Sequence, residues 1–238
     1  MKINIVKSKV MHMTRSKKTL TLPYYTLHGS ELAVTSTYKY LGAIINNTLT
    51  WTDHVDAVVK KANKTLGFIW HVAGGSSTEA LLSLYRSLVL PVLEYGLPAW
   101  SPYTATMSSQ LERVQRRATR MCLKQQRGVM SYDNRLKSLN LLSLDARRNR
   151  LTVLFTMKCL FGQVKCSAVT SLTQINTRHL DTLTFNHHFA RTHCLKNSLI
   201  HSFPRIWSSL PTAVKNSVIL DSWRGFNNQL SSYFNNDV

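Results

Sequence analysis

Trp51–Trp70, WTDHVDAVVKKANKTLGFIW, is where the hydrophobic period of the chain changes from two to 3.6. Val55, Val58, Val59, Ala62, Leu66 and Ile69 follow the i, i+3, i+4, i+7 spacing of one helix face, behind an Asp53 suited to cap the first turn. Lys60 and Lys64 fall off that stripe. Upstream the pattern reads as strand and downstream mostly as helix, so the expected fold class is α+β: a small antiparallel β part, a mainly helical bundle and a helical tail.

In residues 1–50 a hairpin with Gly29-Ser30 at its tip sets Leu27 opposite Leu32 and Tyr25 opposite Val34 on one face. Tyr38–Ile45, YKYLGAII, is a second β stretch rich in aromatic and β-branched residues, with Gly42 where a backbone approaches closely.

Downstream, Gly74-Gly75 ends the first helix and Ser76–Glu79, SSTE, has the spacing of a capping box for the next. That helix, Ala80–Leu90, is apolar almost all round, which predicts a central, buried element that Pro91 kinks or ends. Leu111–Lys124, LERVQRRATRMCLK, reads as a helix with two unlike faces. Arg113, Arg116, Arg117, Arg120 and Lys124 form one stripe, while Leu111, Val114, Ala118 and Met121 form the other. Glu112 alone interrupts the positive charge.

Tyr132–Leu139 and Asp145–Leu160 are expected helices, the second with Arg147, Arg148 and Arg150 near its start, where cations oppose the helix dipole. A polar connector, Ser167–Ser198, precedes Phe203, Trp207 and Leu210 and a last amphipathic helix carrying Trp223, Phe226, Leu230 and Tyr233 or Phe234. The expected parts are residues 1–50, 51–165 and 166–238.

With 30 Lys and Arg against 11 Asp and Glu, the 238-residue chain carries a formal charge of +19, which favours nucleic acid, or less often an anionic membrane surface, as partner. Between Arg113 and Arg150 there are eleven cations and two carboxylates, Asp133 and Asp145, so the field is concentrated there. No apolar run is long enough to span a bilayer, and MKINIVKSK lacks the apolar block of a signal peptide. An intracellular protein of nucleus or cytoplasm is expected, with Cys122, Cys159, Cys166 and Cys194 as unpaired thiols.

His187, His188, His193 and Cys194, with Cys159 and Cys166, could compose a zinc site, but the spacing fits no standard finger and the expected metal set is none. Nothing resembles a GxSxG elbow or a phosphate-cradling glycine loop. Trp51, Trp70, Trp100, Trp207 and Trp223 sit among apolar neighbours and read as core, which leaves Tyr40 as the aromatic suited to a base.

In sequence order, INIVKSKVMHM, YKYLGAIINNTLTWTDHV, LYRSLVLPVLEYGLPAWSPY, LERVQRRATR and FPRIWSSLP resemble the carboxy-terminal part of reverse transcriptases of non-LTR (LINE, jockey-like) retrotransposons, over nearly the whole chain. The resemblance implies the end of a polymerase palm, then the thumb from Asp53 to about Leu160, then a tail. It places Asn4 and Lys7 in the strand-bearing motif that follows the catalytic aspartates, with Lys7 the candidate for proton delivery to pyrophosphate. Tyr40, Leu41 and Gly42 match the primer-grip hairpin. Two-metal nucleotidyl transfer needs clustered carboxylates, which the family supplies from an aromatic-Ala-Asp-Asp turn and an earlier strand, and neither lies in this sequence.

The expectation is therefore a polymerase fragment that binds a primer-template duplex without sequence preference. It would use Arg113, Arg116, Arg117, Arg120 and Lys124, with no catalytic residue and no cofactor of its own, since Mg2+ belongs to the intact polymerase. Neither a membrane nor a small-molecule ligand is expected. A domesticated or relic binding protein, and a non-functional gene fragment, are the alternatives that the sequence leaves open.

Overall fold

The computed structural model describes residues 3–14, 23–126, 128–167, 169, 172, 174–175, 183–187, 189–220 and 223–236. They form two compact units, Met1–Val58 and Val59–Val238. Helices dominate, and the described strands form three two-stranded antiparallel pairs, an α+β composition.

Tight turns shape the first unit. Strands β1 (Thr26–Leu27) and β2 (Ser30–Glu31) pair with Leu27 opposite Ser30. Their tip is His28-Gly29, with φ of +50° and +78°, rather than Gly29-Ser30. The Tyr25 carbonyl accepts from Leu32 N–H at 2.9 Å, so the register lies two residues from the sequence expectation. A two-residue turn of this type needs positive φ at both central positions, which a glycine at the second satisfies and a serine there would not. The shift is even, so each side chain keeps its expected face.

Strands β3 (Thr37–Tyr40) and β4 (Ala43–Asn46) pair from Thr37 opposite Asn46 to Tyr40 opposite Ala43. Leu41-Gly42 forms the turn, again with both φ positive. Asn46 ties the end of β4 to the first turn of α1 (Thr52–Ala73). Its amide donates to Asp53 Oδ2 at 3.0 Å and to Thr50 Oγ1 at 2.7 Å, and its oxygen accepts from Thr50 N–H at 2.8 Å. Asp53 thus lies inside the first turn, held by Asn46, instead of capping it.

Asn4 and Lys7, expected on a strand, form a 3-10 turn over Ile5–Lys7, with the Asn4 side chain accepting from Lys7 N–H at 3.2 Å. This side-chain bond gives the backbone a local alternative to a ladder.

In the second unit α1 buries Ala62, Leu66 and Ile69, three positions of the predicted stripe. Helix α2 (Thr78–Leu84) is capped by Ser77, whose Oγ accepts from Ala80 N–H at 3.3 Å, one residue later than the box read from the sequence. A wide turn, Tyr85–Val89, leads into α3 (Leu90–Glu94), and Leu90 N–H reaches back five residues to the Tyr85 carbonyl. This loosened turn lets the chain stay helical through Pro91, where the sequence predicts a kink or an end. Leu81, Tyr85 and Val89 are buried, but Leu88 is 45% exposed, so this segment buries one side and not its whole circumference.

After α4 (Leu97–Trp100) come α5 (Ala105–Cys122), α6 (Tyr132–Ser138) and α7 (Leu144–Leu160). Strands β5 (Gln174–Ile175) and β6 (Thr184–Phe185) and helices α8 (His193–Lys196), α9 (Leu199–Ser209), α10 (Thr212–Leu220) and α11 (Trp223–Asn236) follow. The sequence reading had no α10.

Val153 and Met157 of α7, Phe203 and Trp207 of α9, and Phe226 and Leu230 of α11 build one core. Phe185 and Phe203 meet edge to face at 4.9 Å, and Trp207 Nε1 donates to the Leu183 carbonyl at 2.7 Å. Cys166, at the expected start of the tail, packs against this same core. Among the described residues no helix is long and apolar enough to cross a membrane.

Candidate nucleic-acid interface

Helix α5 starts six residues before the stretch read from the sequence, because Thr104 caps it by accepting from Met107 N–H at 3.2 Å. Its inner face is fixed by apolar burial and by one polar relay. Leu111, Val114 and Ala118 are buried, and Gln115, fully enclosed among them, is satisfied at both ends of its amide. Tyr85 Oη donates to Gln115 Oε1 at 2.9 Å, and Gln115 Nε2 donates to the Leu142 carbonyl at 2.7 Å. A buried amide that finds both partners in one orientation sets the rotation of its helix.

That rotation leaves Arg113, Arg116, Arg117 and Lys124 exposed, and Arg120 half-buried, on the outer side. Among the described residues none of the five has a carboxylate within salt-bridge distance. Glu112, one turn from Arg116, is engaged elsewhere: its Oε1 accepts from the Tyr132 hydroxyl and from Leu144 N–H at 3.3 Å, which joins α5 to the first turns of α6 and α7. Burial, and after it the Glu112 charge, push the Tyr132 phenol up, so it stays a donor. Its ring in turn supports Arg116, whose guanidinium carbon lies 4.5 Å from the ring centre. Arg117 reaches Asn63 Oδ1 at 3.4 Å.

Arg135 is buried beside this face. Burial, then repulsion from Arg120, lower the Arg135 guanidinium from its ordinary value. The buried Arg135 donates to the Met130 carbonyl at 2.7 Å and to Thr119 Oγ1 at 3.2 Å.

Lys124 has a further peculiarity. Two residues past the end of α5 it lies in the left-handed region, φ +51°, while Lys124 N–H bonds to the Met121 carbonyl and Gln125 N–H to that of Arg120. Helices α6 and α7 end with the same paired bonds at Asn140 and Gly162, residue types that tolerate this conformation. A lysine there costs about 1 kcal/mol, and its Nζ donates to the Gly75 carbonyl at 3.2 Å.

The other cations read as part of the same field are mostly structural. Arg147 grips Glu94 with two bonds, the Nη2 to Oε2 contact at 3.0 Å. Arg148 is buried and donates to Asp145 at 2.8 Å and to Ser108 at 3.3 Å, and Arg150 donates to Ser231 Oγ at 2.7 Å. The supposed cost of placing them at a helix start has a structural answer. Arg127 lies outside the described residues.

Two depressions flank the basic face. One, about 580 Å³, is lined by Glu112, Arg113, Arg116, Tyr132 and Arg148 among others. The other, about 400 Å³, is lined by Leu66, Trp70, Arg117, Arg120, Met121, Lys124, Gln125 and Gln126. Trp70 was read as core, yet it is 49% exposed, because Leu66 and Ile69 centre the buried stripe and Trp70 lies at its edge. No protein-family model, curated protein or solved structure matches the chain.

In the first unit the structure gathers Tyr40, Leu41 and Gly42 at the β3–β4 tip, with Tyr40 60% and Leu41 74% exposed. Lys7 Nζ has no partner among the described residues, while the Lys7 carbonyl accepts from Tyr38 Oη at 3.3 Å. The zinc reading gains no geometry. Among the described residues no three His, Cys, Asp or Glu side chains gather to hold a metal, and His187 instead meets Ser208 Oγ at 3.1 Å. His188 and the His193 side chain lie outside the described residues. Tyr132 and Glu112 carry roles that the sequence reading did not give them, since their contacts run between helices 20 residues apart in the chain.

Proposed function

We propose that the chain binds the phosphate backbone of a nucleic-acid duplex without sequence preference, as the thumb of a non-LTR retrotransposon reverse transcriptase would. The observation that carries this reading is the outer side of α5, where Arg113, Arg116, Arg117, Arg120 and Lys124 lie together while the one carboxylate of the helix faces Tyr132 and Leu144. From Arg113 to Arg120 the rise along α5 is about 10 Å, roughly three phosphate steps of one strand along a duplex axis, and Lys124 continues the cationic edge past the helix end. Five cations with no internal counter-charge line that edge. The resemblance to the retrotransposon polymerases adds support from the order of motifs along the chain.

Tyr40, Leu41 and Gly42, on an exposed turn, are proposed to meet the primer end, with Gly42 admitting a backbone at close range. The chain by itself is proposed to hold nucleic acid without extending it.

Fluorescence anisotropy of a labelled 16-base-pair DNA duplex, titrated from 50 to 200 mM salt, tests the reading. Five phosphate contacts predict a slope of log affinity against log salt of about −4.5 on B-form DNA and about −3.5 on single strands. Duplexes of unrelated sequence should bind alike. A slope near zero, or a strong sequence preference, would overturn the proposal, and magnesium-dependent primer extension by the chain alone would overturn its non-catalytic part.

A further inference from the structure

The depression beside Trp70 has a composition that phosphate binding alone does not explain. Its floor holds Leu66 and Met121, its rim holds Arg117, Arg120 and Lys124, and Trp70 closes one side with about half its surface open. A backbone-gripping helix needs the cations and has no use for an open indole. Exposing it forfeits burial of a large apolar surface.

The indole is also held in place. A Cβ on Gly74 would come within 3.2 Å of Trp70 Cδ2, 3.3 Å of Cε3 and 2.5 Å of the Trp70 carbonyl oxygen, so the ring lies over the bare backbone of Gly74 as no other residue would permit. Lys124 Nζ, bonded to the Gly75 carbonyl, fixes the rim next to it. Among the described residues no cation lies over the Trp70 ring, although three line the same depression, and about half of the side chain stays open to solvent.

We propose that this depression binds one unpaired nucleotide flanking the duplex, its base stacked on the Trp70 indole and its phosphate held by Arg117, Arg120 and Lys124. The assignment rests on the duplex-binding reading above and adds a subsite to it. A volume of about 400 Å³ suits a small ring system with a phosphate rather than a second duplex. Stacking on an aromatic side chain tolerates any base, so the subsite keeps the sequence independence of the whole.

The test compares a blunt 16-base-pair duplex with the same duplex bearing a one-nucleotide 3′ or 5′ overhang, using the full chain. The expected result is at least about 5-fold tighter binding of one overhang form, with quenching of tryptophan fluorescence. Trp70→Phe should keep most of that gain and lose the quench. Trp70→Leu, which retains apolar contact with the helix but cannot stack, should bind blunt duplex normally and lose the gain. Equal affinity for blunt and overhang duplexes, or a gain that survives in Trp70→Leu, would overturn the subsite while leaving duplex binding intact. Failure of both duplexes to bind would overturn both proposals.

Discussion

Replacing Arg113, Arg117 and Arg120 together with Gln removes three of the five cations on the outer side of α5 without disturbing its inner face. Arg113 and Arg117 are exposed and Arg120 is half-buried, and none has a carboxylate partner among the described residues, so glutamine costs the fold little beyond the 3.4 Å contact of Arg117 with Asn63. Gln and Arg have similar helix propensity. Each lost phosphate contact takes about 0.9 from the salt slope, so three take about 2.7 and bring a slope of about −4.5 to about −1.8. Between 50 and 200 mM salt the parent should lose roughly 500-fold in affinity and the variant only about 12-fold.

The control is a second triple variant, Lys158→Gln, Lys165→Gln and Lys196→Gln, which subtracts the same charge from other exposed positions. Anisotropy titrations on one duplex compare the three proteins, and thermal melts followed by circular dichroism verify that each is folded. The control should keep the parent slope. If both triples flatten the slope equally, the net charge of the chain and not this helix attracts the duplex. If the arginine triple leaves it unchanged, α5 does not touch phosphate.

Lys124→Gly removes a side chain from a left-handed position and should raise stability in urea by up to about 1 kcal/mol, while taking about 0.9 from the salt slope; a loss of stability would show that the Nζ bond to Gly75 outweighs the backbone strain. Tyr85→Phe leaves the enclosed Gln115 oxygen without its donor and should cost about 1 to 3 kcal/mol in urea melts, with loosened α5 binding duplex less tightly; an unchanged midpoint would refute the relay. Burial pushes the Cys122 thiol up to about 11 from an ordinary value near 9.0. Because the folded value is the higher, the native chain holds the proton through that window, and stability should fall as pH rises from about 9 to 11. Cys122→Ala should flatten that fall in alkaline melts, and a decline equally steep in both proteins would assign it elsewhere.

Helices with a sustained 3.6-residue pattern were legible in the sequence: α1, α6, α7 and α11 lie within a few residues of their expected bounds, while α5 begins six residues earlier than its pattern showed. Local choices that differ by a fraction of a kcal/mol slipped by one or two residues, as at the His28-Gly29 turn and the Ser77 cap. Long-range pairing was not legible at all. Arg147 finds Glu94 across 53 residues and Arg150 finds Ser231 across 81, so nothing within the window of a helix pattern could separate these cations from Arg113 or Arg117. Trp70 shows the same limit, since its place at the edge of a buried stripe depends on what packs against α1 and not on its spacing.

The separation of the cations into two groups bears on function more than their number does. Arg135, Arg147, Arg148 and Arg150 are engaged within the fold, where their acceptors hold helices and loops together. Those on the outer side of α5 repel one another at i, i+4 spacing, Arg113 with Arg117 and Arg116 with Arg120, at a few tenths of a kcal/mol each. Glu112 stands at the i+4 distance from Arg116 that would relieve part of this, yet its carboxylate is committed to Tyr132 and Leu144. The buried Leu111, Val114, Gln115 and Ala118 hold the helix in that orientation against the repulsion. A bound polyanion would remove the repulsion that the folded chain alone cannot, so salt, which screens the same charges, should weaken duplex binding while it steadies the free protein.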